Sequence, residues 1–382
     1  MRDATRDGLA WEDNGLGPEP RWTREPDVGA VKRVCRRQLG IADDAPDDVL
    51  KATFLADGTF NKLYGIRSIL HGQLVMRVSL PVDPRHKTRG EAAALQLVRR
   101  KTDIPVPRVV AFDDSRSNAI GYEWLLMERM PGTPAYYRWR KMTMAQKESL
   151  TVRLADFQAQ LLRCGNRDGG DGFRGIGTLG SDQNTGTAPE PGPIVSSFFF
   201  SGDRYHYPIS RGPFRSSHDW LQAQLNVIIK EHTTALAAAR NDDDREYAET
   251  ALRVARKLQR ILHKIFPAIV HPPERTVVWH DDLSLRNIMV DNNGSVTAVI
   301  GWYVSHTISI LCGLKCSLLL GNAYRRCRAG WPRRCQNSYG ARPGRSSRTA
   351  TATRTWTTAA PLRTTPTTAS TTRARRSCTG ST

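Results

Sequence analysis

Val277-Val278-Trp279-His280-Asp281-Asp282-Leu283-Ser284-Leu285-Arg286-Asn287-Ile288-Met289-Val290-Asp291 is followed by the turn Asn292-Asn293-Gly294 and by an apolar run over residues 295–300. Apolar β-formers at 277–279, 288–290 and 296–300 predict three strands, and Asn-Asn-Gly supplies the positive φ angles that a tight hairpin turn needs. The polar loop between the first two strands holds His280, Asp282 and Asn287 in the spacing His-x-Asp-x-x-x-x-Asn.

Phosphoryl transfer brings these residue types together. A carboxylate takes the proton of the acceptor hydroxyl, and oxygen ligands hold the metal that accompanies nucleotide phosphates. On that reading Asp282 is the base and Asn287 a Mg²⁺ ligand. Folding the hairpin about Asn293 returns residues 299–301 to the side of Asn287, so a second metal ligand is expected there, and Gly301 occupies the place. The bland alternative is an ordinary polar connection between strands.

His280-x-Asp282-x-x-x-x-Asn287, a hairpin and then Ile300-Gly301-Trp302 resemble the aminoglycoside phosphotransferase and choline kinase family of kinase-fold enzymes. The resemblance implies an α+β, two-lobed protein-kinase-like fold with a β-rich N-lobe and an α-rich C-lobe. It also implies ATP and Mg²⁺ as cofactors and a small-molecule hydroxyl as acceptor. The family pattern runs Ile-Asp-Trp, and its Asp binds metal; Gly301 cannot coordinate a cation through a side chain. His280 joins the catalytic set, with bracing of the loop as its other reading.

Upstream, a short helix is expected from Val28 to Leu39, ending at Gly40, and residues 52–55 read as a strand leading into Ala56-Asp57-Gly58-Thr59-Phe60-Asn61-Lys62-Leu63-Tyr64. In the resembled family a loop of this kind covers the ATP phosphates, which makes Gly58 and Thr59 nucleotide-binding through backbone N–H groups facing the anion. A plain hairpin turn is the other reading. Gln73-Leu74-Val75-Met76-Arg77-Val78-Ser79-Leu80 reads as a strand, and Arg77 stands where the family has its phosphate-binding Lys or Arg. Arg keeps the charge and changes the geometry, because its guanidinium can pair bidentately.

Glu91 falls in a helix expected over residues 90–100, with Ala94, Leu95 and Val98 buried, and the resemblance makes Arg77 and Glu91 the ion pair of the fold. Thr88-Arg89-Gly90-Glu91 also fits a capping box in which the Glu91 carboxylate serves the helix N-terminus. Ile104-Pro105-Val106-Pro107 resembles the family's link to its next strand. Trp124-Leu125-Leu126-Met127-Glu128-Arg129-Met130-Pro131-Gly132 reads as a buried strand stopped by Pro-Gly. The resemblance makes it the hinge, where adenine meets backbone at Glu128 and Met130.

Residues 144–164 carry Leu150, Leu154, Phe157 and Leu161 at helical spacing. Further helices are expected over 218–239, with a capping box from Ser216 to Asp219, and over 243–266, with Tyr247, Val254, Leu258, Ile261 and Ile265 on one face. Residues 165–215 are rich in Gly and Pro and hold Phe198-Phe199-Phe200, Tyr205 and Tyr207. That is too long for a structureless loop in a compact domain. The segment resembles an insertion of fungal family members, marked by Gly202-Asp203-Arg204 and Arg211-Gly212-Pro213-Phe214, and reads as a packed cover or a substrate lid.

The chain thus divides into an N-terminal extension (1–49), a nucleotide-binding N-lobe (50–130), a C-lobe with the catalytic loop and insertion (131–305) and a Thr/Arg-rich tail (306–382). The resemblance runs from about residue 50 to Trp302. The tail has fourteen Lys and Arg and no acidic residue, which leaves +5 of the net +19 for residues 1–305. Its few large apolar residues build no core. Trp331, Tyr339 and Trp356 are too scattered for a single-strand binder, so no specific nucleic-acid partner is expected.

A GC-rich frame read one base out turns Asp codons into Thr and Glu codons into Arg, and Trp302-Tyr303-Val304-Ser305 is compatible with an intron donor. A retained intron or frame shift after residue 302 accounts for the tail on that reading. Residues 308–320, with Lys315, are too short and too interrupted to span a bilayer. The polar residues 1–24 lack a secretory apolar run, so cytoplasmic residence is the default. Seven Cys without Cys-x-x-Cys pairs indicate neither zinc nor a disulfide framework.

The readings converge on an ATP-dependent phosphotransferase acting on a small-molecule hydroxyl and impaired by Gly301. The alternative is a pseudokinase-like nucleotide-binding or interaction module.

Overall fold

A computed structural model describes residues 4–309 apart from 16, 43, 165–171, 181–188 and 270. Strands β1 (Leu9–Asp13) and β2 (Pro18–Trp22) form an antiparallel hairpin, followed by helix α1 (Val28–Gln38). A five-stranded antiparallel sheet comes next, from β3 (Leu50–Asp57), β4 (Asn61–Ser68) and β5 (Gly72–Ser79). Helix α2 (His86–Lys101) intervenes before β6 (Val109–Asp113) and β7 (Glu123–Glu128), and the sheet order is β3-β4-β5-β7-β6.

The two-residue period of the central strands divides the core. Leu74, Met76 and Val78 of β5 and Trp124 and Leu126 of β7 face Ala30, Val31, Val34 and Cys35 of α1. The intervening Val75, Leu125 and Met127 face Ala92 to Leu95, Leu97 and Val98 of α2. Helix α1 is therefore no appendage, because it covers one face of the sheet, and Asp27 caps it through Gly29 and Ala30 N–H. The helix stands where residues 28–39 predict it, and only its burial against the sheet is added by the structure.

Helix α2 begins four residues before the expected 90, after an N-cap at Arg85 that has φ 68° and no capping side chain. Glu91 thus lies inside the helix, and the capping-box reading falls.

The second lobe adds β8 (Thr133–Pro134), α3 (Ala135–Arg138) and α4 (Met144–Arg163), the last opened by a capping box of Thr143 and Gln146. Leu150, Phe157 and Leu161 of α4 are buried as the spacing predicts. Strands β9 (Phe173–Arg174), β10 (Leu179–Gly180) and β11 (Glu190–Pro191) and helix α5 (Ser197–Phe200) precede α6 (Ser217–Ala238) and α7 (Asp242–Ile265).

Among its described residues, the insertion is a packed cover that reaches both lobes. Phe199 and Phe214 join Trp220 and Phe266 of the helical core, while Phe200 packs with Leu80, Val82 and Val195. Arg211 pairs with the buried Asp83 of the N-lobe at 3.0 Å, and Arg204 grips Glu231 of α6 through two nitrogens.

Tyr247, Val254, Leu258, Ile261 and Ile265 of α7 do share a face, but it is exposed; Ala248, Leu252, Ala255 and Leu262 are the buried ones. Ala255 and Leu262 of this buried set pack with Ala223, Leu225 and Val227 of α6.

The chain continues through β12 (Arg275–Trp279), β13 (Ile288–Val290), β14 (Val296–Val299) and β15 (His306–Ile308). Strands β13 and β14 pair as the expected hairpin, and β13 also pairs with β8. Residues 306–309 do not belong to a tail. Strand β15 pairs with β12, and the buried Thr307 hydroxyl meets the carbonyls of Gly175 and Gly177 at 3.0 Å. The expectations for residues 310–382 lie outside the described residues.

Trp302 fixes the end of the hairpin in the core. It is 1 % exposed, donates its Nε1–H to the Val299 carbonyl at 3.0 Å and meets the His280 ring edge-on at 4.6 Å. Trp302→Ala is expected to lower folding stability by about 3–5 kcal/mol, as large-to-small core changes of aromatics do. Urea unfolding of the two chains measures it; a change below about 1 kcal/mol would contradict this packing.

Candidate active site

The loop between β12 and β13 is wound by two backbone hydrogen bonds, Ser284 N–H to Asp282 O and Asn287 N–H to Ser284 O, both 2.9 Å. This winding brings the ends of the five-residue spacing together. Asn287 Nδ2 donates to the Asp282 carbonyl and to Asp282 Oδ2, each at 2.8 Å. Both partners are acceptors, so the amide nitrogen must face Asp282 and Asn287 Oδ1 is left to face elsewhere. Asp282 itself is exposed at the mouth of the loop.

His280 lies behind this pair and is buried. Its Nε2–H donates to Ile300 O at 2.9 Å, and its Nδ1 accepts the Asp282 N–H at 3.2 Å. Both ring nitrogens are thus engaged by backbone, which ties β14 to the loop. Burial holds the imidazole below its ordinary pKa, and the Ile300 carbonyl and the Asp282 charge oppose that only in part.

The unfolded chain therefore takes up a proton at about pH 6.5 that the folded chain resists. Stability from this group is full above about pH 6.5 and is lost as pH falls through the lower folded value. In urea titrations, the stability of the parent minus that of His280→Gln is expected to shrink from about pH 6.5 to 5. A flat difference would contradict the neutral, bonded ring. His232, also depressed by burial, is common to both chains and cancels.

Gly301 sits against Asn287 as the hairpin fold predicts. The Ile300 N–H reaches Asn287 O at 2.9 Å, and a Cβ on Gly301 would lie 2.7 Å from Asn287 Cγ and 2.9 Å from Oδ1. Its φ of 86° is in the left-handed region, where glycine is unstrained. Among the described residues no three His, Cys, Asp or Glu side chains gather as a metal site. The residues thus fit Mg²⁺ through one neutral oxygen, Asn287 Oδ1, and lack the carboxylate such sites use.

On the N-lobe side, Arg77 Nη1 and Glu91 Oε1 form a buried ion pair between β5 and α2. Arg77 Nε has no hydrogen-bond partner. The Gly58 N–H bonds Asn61 O at 2.9 Å and closes the β3–β4 hairpin, so that amide does not face an anion; Thr59 is exposed at the tip. At the hinge, the Glu128 N–H is taken by Arg108 O at 2.9 Å, and the Arg129 N–H by Gln73 O at 3.2 Å. Met130 follows, half-buried.

Two residues escaped the sequence reading. Lys87 lies one helical turn before Glu91 on the same face of α2 and is 1 % exposed. Tyr303 lies over Arg77 and Lys87 and beside Phe60 at the hairpin tip. The i,i+4 spacing from Glu91 could have pointed to Lys87; no sequence signal pointed to Tyr303.

The fold thus places a carboxylate–amide loop on one lobe and a buried Arg–Glu pair on the other. Residues 66–333 match the phosphotransferase enzyme family (APH), so the chain belongs to that family. The match runs past Trp302, where the motif resemblance ends.

A subtelomeric hrmA-associated cluster protein of Aspergillus fumigatus is 27 % identical over 173 residues, 43 % of this chain and 33 % of that protein. The chain thus spans about a third of the length of this relative. The mitochondrial protein "altered inheritance of mitochondria protein 9" of Scheffersomyces stipitis is 32 % identical over 108 residues, 25 % of this chain and 17 % of that one.

Among solved structures, choline kinase of Cryptosporidium parvum is 12 % identical with a TM-score of 0.43, covering 74 % of this chain and 66 % of its own. A putative fructosamine-3-kinase of Thermobifida fusca is 18 % identical with a TM-score of 0.39, covering 73 % and 79 %. At such scores these likenesses carry no argument about site or substrate.

Proposed function

We propose that this chain transfers a phosphoryl group from ATP to a hydroxyl of a small molecule. The observation that carries the reading is the pairing of the exposed Asp282 carboxylate with Asn287, which fixes a proton acceptor at the mouth of the loop. In this reading Asp282 takes the proton of the acceptor hydroxyl and Asn287 Oδ1 faces the cation that arrives with the nucleotide. His280 holds the loop in shape as a neutral imidazole and transfers no proton. Arg77, oriented by Glu91, meets the phosphates, and adenine lies at the backbone near Glu128 and Met130. Bound Mg²⁺ would neutralise phosphate charge, with nucleotide and water supplying most of its ligands.

A second reading, nucleotide binding without turnover, is favoured by Gly301, which leaves the cation site without its carboxylate. ATP consumption in the presence of varied alcohols, with and without Mg²⁺, separates the two. Mg²⁺-dependent consumption supports the enzyme. ATP binding by calorimetry with no consumption supports the second reading.

A further inference from the structure

Lys87 is a lysine in an unusual setting. Its Nζ donates to Asn61 Oδ1 at 2.5 Å and to Ser79 Oγ at 3.0 Å, both neutral acceptors, and among the described residues no carboxylate stands within ion-pair distance of it. An ammonium has three protons to place, and removing it from water without a paired anion is costly. The remaining direction is toward Tyr303, whose ring centre lies 5.4 Å from Nζ. The same ring centre lies 5.8 Å from the Arg77 guanidinium carbon. Arg77 in turn keeps its buried Nε without a partner.

Two cations from two elements, β5 and α2, therefore converge on one aromatic ring. That ring is held under the β3–β4 tip by Phe60, at 6.2 Å between centres, and follows directly on the buried Trp302. Burial raises the pKa of the Tyr303 phenol, and the charge of Asp282 adds to that.

We infer that Lys87 is a second phosphate-binding cation of this cleft, acting with Arg77, and that the Tyr303 ring covers both until a phosphate displaces it. The inference rests on the phosphotransferase reading for what the cleft binds and adds to it who binds and what stands in the way. The ligand chemistry is that of a polyphosphate, whether free or carried by a nucleotide. A π-face compensates the buried Lys87 ammonium only weakly, whereas phosphate oxygens would give it a charge-assisted hydrogen bond and would also accept from the unpartnered Arg77 Nε–H.

The pH dependence is a separate mark of Lys87. Burial lowers its pKa to about 8, Arg77 adds to that, and Glu91 of α2 and Glu123 of β7 oppose it. The other groups facing it are Asn61 of β4, Ser79 of β5 and Tyr303. A bound anion favours the protonated ammonium, so affinity is full below about pH 8 and falls above it by up to about tenfold per pH unit.

The test is calorimetric titration of the full chain with inorganic tripolyphosphate and with ADP, both in EDTA. Tyr303→Ala is expected to bind tripolyphosphate about tenfold tighter than the parent. Adding Lys87→Met should abolish the gain together with the loss of affinity above pH 8. Adding Lys87→Arg instead should keep the gain and flatten the pH profile, since Arg does not titrate there. Lys87→Met leaves the Ser79 to Asn61 side-chain hydrogen bond of 3.0 Å in place, and thermal melts check that each variant folds.

Tighter binding of ADP than of tripolyphosphate, with both dependent on Lys87, assigns the seat to a nucleotide; equal binding assigns it to any polyphosphate. If Lys87→Met changes neither affinity nor pH slope while Arg77→Lys weakens binding, Lys87 is a core residue and the inference falls while the phosphate cleft stands. If neither ligand binds the parent or Tyr303→Ala, the inference falls, and titration of the parent with MgATP decides the phosphotransferase reading separately.

Discussion

Asp282→Asn is expected to lower ATP-dependent phosphoryl transfer by about 10²- to 10⁴-fold, the usual contribution of a positioned general base. The substitution removes the proton acceptor and little else. Asp282 is exposed, and its carboxylate bonds Asn287 Nδ2, which an Asn oxygen at 282 can still accept. Folding stability and ATP affinity should therefore stay near those of the parent. Initial rates beside calorimetric ATP binding check both halves. A variant that keeps its rate would show that Asp282 takes no proton, and one that loses ATP binding as well would mean that the loop had collapsed.

Gly301→Asp is expected to work in the other direction, tightening ATP binding in Mg²⁺ by about tenfold relative to EDTA, or about 1.4 kcal/mol. Mg²⁺ sites beside phosphates use one or two carboxylates, and Asn287 offers only a neutral oxygen. The new side chain is not free of cost. Residue 301 has φ 86°, and its Cβ would stand 2.7 Å from Asn287 Cγ, so the amide has to shift. Asp is one of the few residues that visit this backbone region, at a cost of about 1–2 kcal/mol, and a fall in stability of that size should accompany the gain. Titrations with and without Mg²⁺ decide it. Equal ATP affinity in the two conditions for parent and variant would mean that residue 301 is not beside the cation.

What the sequence disclosed and concealed follows from how far each signal reaches. The hairpin about Asn293 was legible because turn chemistry and a two-residue period act within a few residues, and it carried the juxtaposition of Gly301 and Asn287 with it. The Arg77–Glu91 pair was legible only through the family resemblance, since the two lie fourteen residues apart on different elements. Helix α1 was legible over residues 28–39, but that Val31, Val34 and Cys35 are buried against the sheet was not, because the partner strands lie far along the chain.

The large apolar residues of helix α7 mark one face as expected, but a single sequence does not say which face meets a neighbour. Tyr303 carried no sequence signal, because its setting is made by Arg77, Lys87 and Phe60 from three separate elements. Strand β15 lay beyond the motifs, where composition dominated the reading and the pairing of Ile308 with Val277 could not be seen.

Phosphoryl transfer through Asp282 is tested most directly by ³¹P NMR of MgATP incubated with the full chain and a deproteinised cell extract of small molecules. The account predicts that the ATP γ-resonance declines while ADP and a new phosphomonoester resonance grow in equal amounts, and that Asp282→Asn stops both. ATP left intact by the parent, or consumed at the same rate by Asp282→Asn, would contradict it.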